Sequence, residues 1–141
     1  MDIRSRKEQT FTMAFTEGDV AGARSAVERV ARARGMPDER VTDLVLATNE
    51  AVVNAVSYGG GQGVLRVWAD DGAVYCDIRD FGRGVPMDRL DGGDPPPAQQ
   101  PGGWGIWLIR RLADKVAFTT GPGGTTVRIA MTLSDDDRDL R

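Results

Sequence analysis

The stretch "TNEAVVNAVSYGG", Thr48 to Gly60, has the alanines and valines of a buried helix, yet it also carries Glu50 and Asn54. Upstream of it, Val41, Leu44, Val45, Thr48, Val52 and Ala55 recur at helical spacing and form one apolar stripe. The helix is therefore expected to begin at Asp38, after Pro37, and to stop at Gly59 to Gly61. Glu50 and Asn54 stand four residues apart, so both project from one side of that helix, a turn from each other. Ala51, Ala55 and Ser57 beside them are small enough to let a ligand approach closely. A solvent-facing polar stripe would read the same way, because charged groups are rarely buried. The pair needs support from elsewhere in the chain.

Two strands follow, Val64 to Ala69 and Ala73 to Asp80, joined through Asp71-Gly72, a dipeptide suited to a tight hairpin. Val74, Cys76 and Ile78 share a face by the period of two, and Asp80 has the same parity, so the register turns a carboxylate toward the buried side. A buried polar group without a partner costs roughly 1 to 3 kcal/mol, so Asp80 is expected to have a dedicated donor, and an adenine amino group is one of the right kind. Gly82 and Gly84 follow in "DFGRG", where no Cβ would block a flat ligand. In "GGWGIWLIRRL", Gly102, Gly103 and Gly105 lead into a third helix, whose free N–H groups and dipole favour phosphate. Thr125, in the closing hairpin "VAFTTGPGGTTVRIAMTL", shares parity with Val127, Ile129, Met131 and Leu133 and points inward, where its hydroxyl can hold a water or an adenine edge. Taken singly, each of these has a plainer reading: a strand end turning to solvent, a glycine-rich helix start, a threonine that simply favours strands.

The remaining elements set the architecture. Phe11, Met13 and Phe15 alternate with polar residues, the pattern of a half-buried strand from Gln9 to Thr16. Asp19 is placed to cap a helix with Ala23, Val27, Val30 and Ala31 on one face, closed by Gly35 and Pro37. Ile106, Ile109, Leu112, Ala113 and Val116 mark the third helix. Between Val85 and Gly102 runs a proline-bearing segment without periodicity, read as a lid because loops of that length are usually functional or disordered. The order of elements implies an α+β, two-layer sandwich, with three helices covering one face of a mostly antiparallel mixed sheet. One domain is expected over residues 9–134, with tails at 1–8 and 135–141.

Composition narrows the function. A chain of 141 residues, 40% hydrophobic and 28% charged, suits a single globular core. A net charge of −3 and a pI of about 5.0 argue against direct nucleic-acid binding. No apolar run approaches the roughly 20 residues that span a bilayer, and no signal-peptide core is present, so no membrane contact and a cytoplasmic location are expected. The absence of histidine excludes Ser-His-Asp and Cys-His catalysis and, with a lone Cys76, a zinc site. Acid/base work falls to carboxylates.

Taken in order, Glu-x-x-x-Asn on a helix, Asp-x-Gly-x-Gly after a strand, a lid, Gly-x-Gly opening a helix and Gly-Thr in the last hairpin resemble the GHKL ATPase superfamily with its Bergerat, or histidine kinase-like ATPase, fold. The resemblance runs from about Phe11 to Leu133. Within that superfamily, "NEAVVNAV" is most similar to bacterial anti-sigma factors that are also protein serine kinases. The resemblance implies ATP and Mg²⁺ as cofactors, with Asn54 coordinating the metal and Asp80 accepting from the adenine amino group. It implies that Gly82 and Gly84 shape the base pocket and that Thr125 supports the adenine side. Gly103 and Gly105, with Trp104 and Ile106, would bring backbone to the phosphates, and Glu50 would be the general base in transfer to a serine or threonine. Implied partners are a sigma factor and an anti-anti-sigma antagonist of the STAS type, with the chain acting as a homodimer.

The pattern also departs from the family. Tyr58 stands where a histidine often follows the asparagine, the segment 85–102 offers only Arg89 as a cation, and Arg110 and Arg111 read as solvated surface. Two alternatives stay open at this point: a nucleotide-binding module acting by protein binding without kinase activity, and a partner-binding domain with no nucleotide.

Overall fold

The computed structural model describes residues 10–84 and 104–134; the segment 85–102 read as a lid, Gly103 and both tails lie outside the described residues. Strand β1 spans Phe11–Thr16, helix α1 Val20–Ala33 and helix α2 Asp38–Tyr58, followed by the hairpin of β2, Gln62–Ala69, and β3, Ala73–Asp80. Helix α3 covers Trp104–Leu112, and the closing hairpin is β4, Lys115–Gly121, with β5, Gly124–Thr132. Asp70 N–H donates to the Ala73 carbonyl at 3.1 Å, which leaves Asp71-Gly72 as the two-residue turn the dipeptide predicts.

The five strands lie in the order β1-β2-β3-β5-β4. Every described pairing is antiparallel, where the sequence reading allowed a mixed sheet. Register brings Phe11 opposite Val67, Leu65 opposite Ile78 and Cys76 opposite Ile129, so inward residues of neighbouring strands line one apolar face. Helices cover that face: Ala23, Val27 and Ala31 from α1, Leu44, Ala51 and Val52 from α2 and Ile109 from α3 are buried with Phe15, Leu65, Val74, Ile78 and Met131 of the sheet. The opposite face carries the stacked rings of Trp68 and Tyr75, with the Arg66 and Arg128 guanidiniums over Trp68. No helix among the described residues is long and apolar enough to cross a membrane.

Two local expectations shift. Asp19 stands at the N-cap position of α1 but its side chain does not cap that helix; its carboxylate accepts from the Thr16 N–H at 2.8 Å, and the chain enters α1 through a short 3-10 turn, Glu17–Asp19. Helix α3 ends at Leu112, and Val116, assigned to it by spacing, lies in β4. The reason sits between them. Asp114 is drawn inward to pair with Arg40, in the first turn of α2, and accepts from the Thr132 N–H at 2.8 Å. Arg40 is only 3% exposed and also donates from Nε to the Thr132 carbonyl at 2.9 Å. A buried charge is tolerated only when paired and hydrogen-bonded, and here a guanidinium, a carboxylate and a strand end satisfy one another.

Candidate functional site

Helix α2 is buried along Val41, Leu44, Thr48, Val52 and Ala55, which leaves Glu50 and Asn54 half-buried on its flank. Helix α3 packs along that flank with Gly105 in its first turn. A Cβ on Gly105 would stand 2.8 Å from Asn54 Nδ2, 3.2 Å from Asn54 Oδ1 and 3.2 Å from Glu50 Oε2. The start of the glycine-rich helix and the Glu/Asn pair, read separately from sequence, thus meet at one point. Of the neighbouring positions, Ile106 is half-buried on α3 and Trp104 opens the helix, while Gly103 lies outside the described residues.

Asp80 closes β3 with its side chain half-buried against Gly59, the residue that ends α2. Its Oδ1 accepts from the Thr125 N–H at 3.0 Å and the Gly82 N–H at 3.1 Å. The donors that a buried carboxylate requires are therefore backbone amides, and Oδ2 receives none among the described residues. Thr125 is brought to Asp80 as expected, but by its amide; its hydroxyl pairs with that of Thr120 at 2.9 Å. Gly59 ends the helix five residues beyond Asn54, an axial separation of about 7.5 Å at 1.5 Å per residue. Asp80, packed on Gly59, and Asn54 consequently stand at two points along the C-terminal part of α2.

The space left by the missing side chains of Gly82 and Gly84 is taken by protein. A Cβ at Gly82 would stand 2.8 Å from Gly59 Cα, and one at Gly84 would stand 2.5 Å from the Gly121 carbonyl oxygen. Close backbone packing accounts for glycine at both, and Gly84 also has a φ of +90°, which favours glycine. Arg111 is exposed, as the surface reading expects, with its guanidinium 5.3 Å from the Trp107 ring centroid, while Arg110 is half-buried with its guanidinium 4.8 Å from that of Phe118. Arg40, Asp114 and Thr132 escaped the sequence reading, although Arg40, four residues before Leu44, falls on the apolar stripe and signals a buried partner.

Among the described residues, no three His, Cys, Asp or Glu side chains cluster to hold a metal. A divalent cation here would rest on the Asn54 amide oxygen together with oxygens brought by a ligand. That donor set suits Mg²⁺, which keeps waters and shares phosphate oxygens rather than entering an all-protein cage.

Known proteins share this fold and sequence pattern. Residues 13–131 match the model of the histidine kinase-like ATPase domain. Two anti-sigma F factors of Bacillus licheniformis are 30% identical over 106 and 107 residues, covering 68% of this chain and 72% of theirs. Among solved structures, the RsbU and RsbW domains of a Mycobacterium tuberculosis protein superpose with a TM-score of 0.62 at 21% identity over 86% of this chain, which spans 32% of that one. The histidine kinase domain of a blue-light activated kinase from Erythrobacter litoralis superposes with a TM-score of 0.59 at 21% identity, over 87% of this chain and 63% of that one. The two structures share the fold, and the family model with the two relatives shows the lineage: the chain belongs to the histidine kinase-like ATPase family of the GHKL superfamily, alongside the anti-sigma F factors.

Proposed function

We propose that this protein is an ATP-binding anti-sigma factor that phosphorylates a serine or threonine of an antagonist protein, the antagonist relieving its hold on a sigma factor. The observation that carries the reading is the approach of Gly105 to both Glu50 and Asn54, close enough that a Cβ there would displace the asparagine amide. Adenine would donate its amino group to Asp80 Oδ2, and the triphosphate would run along α2 toward the first turn of α3. When bound, Mg²⁺ would neutralise phosphate charge from its seat on Asn54. Glu50, one turn away, would accept the proton of the acceptor hydroxyl as its oxygen bonds to the γ-phosphorus and the bond from that phosphorus to the ADP oxygen breaks.

The relatives' name and the site together support this reading, and a transfer assay tests it. Purified protein is mixed with γ-labelled ATP and the small single-domain antagonists encoded in the same genome. Label should pass to one of them. Glu50→Gln should cut transfer by about a hundredfold or more, the typical worth of a general base, while Mg·ATP affinity stays within about twofold. Good ATP binding with no transfer to any antagonist would leave a nucleotide-binding module that acts by occupying its partner.

A further inference from the structure

We infer that the acceptor protein docks on the outer ridge of α2, seating apolar side chains on Leu46 and Val53 at either side of its acceptor hydroxyl. This rests on the reading of Glu50 as the base. Leu46 is 41% exposed and Val53 37% exposed, two of the four large apolar side chains left open among the described residues. Single exposed apolar residues are ordinary on a protein surface. Their position is not. Leu46 lies four residues before Glu50 and Val53 three after it, so they flank the carboxylate one turn below and one turn above on the side of α2 turned from the sheet. Asn49, also on this side, is occupied by Arg24, whose Nη1 donates to its Oδ1 at 3.0 Å.

Geometry then forces the contact. A base must come within about 3 Å of the hydroxyl it deprotonates. One helical turn is only about 5.4 Å, whereas even a modest protein interface covers several hundred Å² on each side. A body that brings a hydroxyl to Glu50 across the outer side of α2 therefore also covers Leu46 and Val53. An acceptor with polar or charged groups there would bury them against apolar side chains without partners, so the complement is an acceptor residue with apolar neighbours on the docking surface.

The test is the double variant Leu46→Glu and Val53→Glu, with Leu46→Ser and Val53→Ser as a milder second pair. Phosphoryl transfer, antagonist binding and Mg·ATP affinity are measured for each. Both pairs should raise KM for the antagonist about tenfold or more and weaken its binding alike, with kcat at saturating antagonist and Mg·ATP affinity near wild type. Leu46→Met with Val53→Ile should restore KM. Unchanged KM and binding in both pairs would overturn the docking surface, as would a change in the oligomeric state of the free protein, which would assign the ridge to a second copy. A wild-type protein that binds an antagonist but transfers nothing would defeat the kinase reading instead, and loss of antagonist binding in the variants would still uphold the surface.

Discussion

Gly105 and Asn54 stand so close that a methyl group on the glycine would come within 2.8 Å of the asparagine amide nitrogen. A helix start that sequence reading treats as a generic phosphate cradle is thereby tied to one particular side chain on another helix. The contact falls in the candidate site, because Gly105 also faces the Glu50 carboxylate.

Gly105→Ala should separate binding from stability. Alanine favours a helix over glycine by about 1 kcal/mol, which offsets the crowding, so the melting temperature should move little. The displaced Asn54 should nonetheless weaken Mg·ATP binding about tenfold or more. Calorimetry beside a thermal melt checks both, and unaltered affinity would remove Asn54 from the nucleotide site.

Asp80→Asn preserves the shape that packs on Gly59 and can still accept from Thr125 and Gly82 through Oδ1. Its second atom becomes an amide nitrogen, a donor facing the adenine donor. ATP affinity should fall by about 1–3 kcal/mol, roughly 5- to 150-fold, with little loss of fold stability. Equal binding of ATP by both proteins would mean that adenine is recognised elsewhere.

Asp114→Ala should be among the more damaging single changes away from the site. It leaves the Arg40 guanidinium buried without its carboxylate and frees the Thr132 N–H, and breaking a buried pair in this way costs about 3–5 kcal/mol. Urea unfolding should show a lower midpoint at unchanged slope. Arg40→Met combined with Asp114→Leu should lose less than the two single changes added together, since no charge is then left unpaired.

Cys76 is fully buried, and burial pushes its thiol from 9.0 up to about 12, a rise that the neighbouring Thr48 hydroxyl only partly offsets. The unfolded chain ionises this thiol first, so between pH 9 and about 12 the folded state binds more protons and stability falls as pH rises. The slope should reach about 1.4 kcal/mol per pH unit and should be absent from Cys76→Ala. Native protein should also resist thiol reagents at neutral pH, because the reactive species is the thiolate. Rapid labelling of the folded protein would contradict the burial.

The elements themselves were legible in the sequence because their signals are local. Period-two alternation marked Ala73 to Asp80 with its true ends, Asp71-Gly72 marked the hairpin, and the apolar stripe with Pro37 and Gly59 bounded α2. Parity alone also determined that Asp80 and Thr125 face inward, since a side chain's face follows from its place in a strand. What tertiary structure decided is which of these groups meet. Parity names a face and no donor, so nothing local could tell that Asp80 would be held by the Thr125 amide, 45 residues away, with the Thr125 hydroxyl turned to Thr120. Nor could spacing end α3 at Leu112, because the signal there is a carboxylate claimed by Arg40, 74 residues earlier in the chain. Local pattern follows from the periodicity of a single element, whereas burial of a charge or the closeness of Gly105 to Asn54 exists only once separate elements share one core.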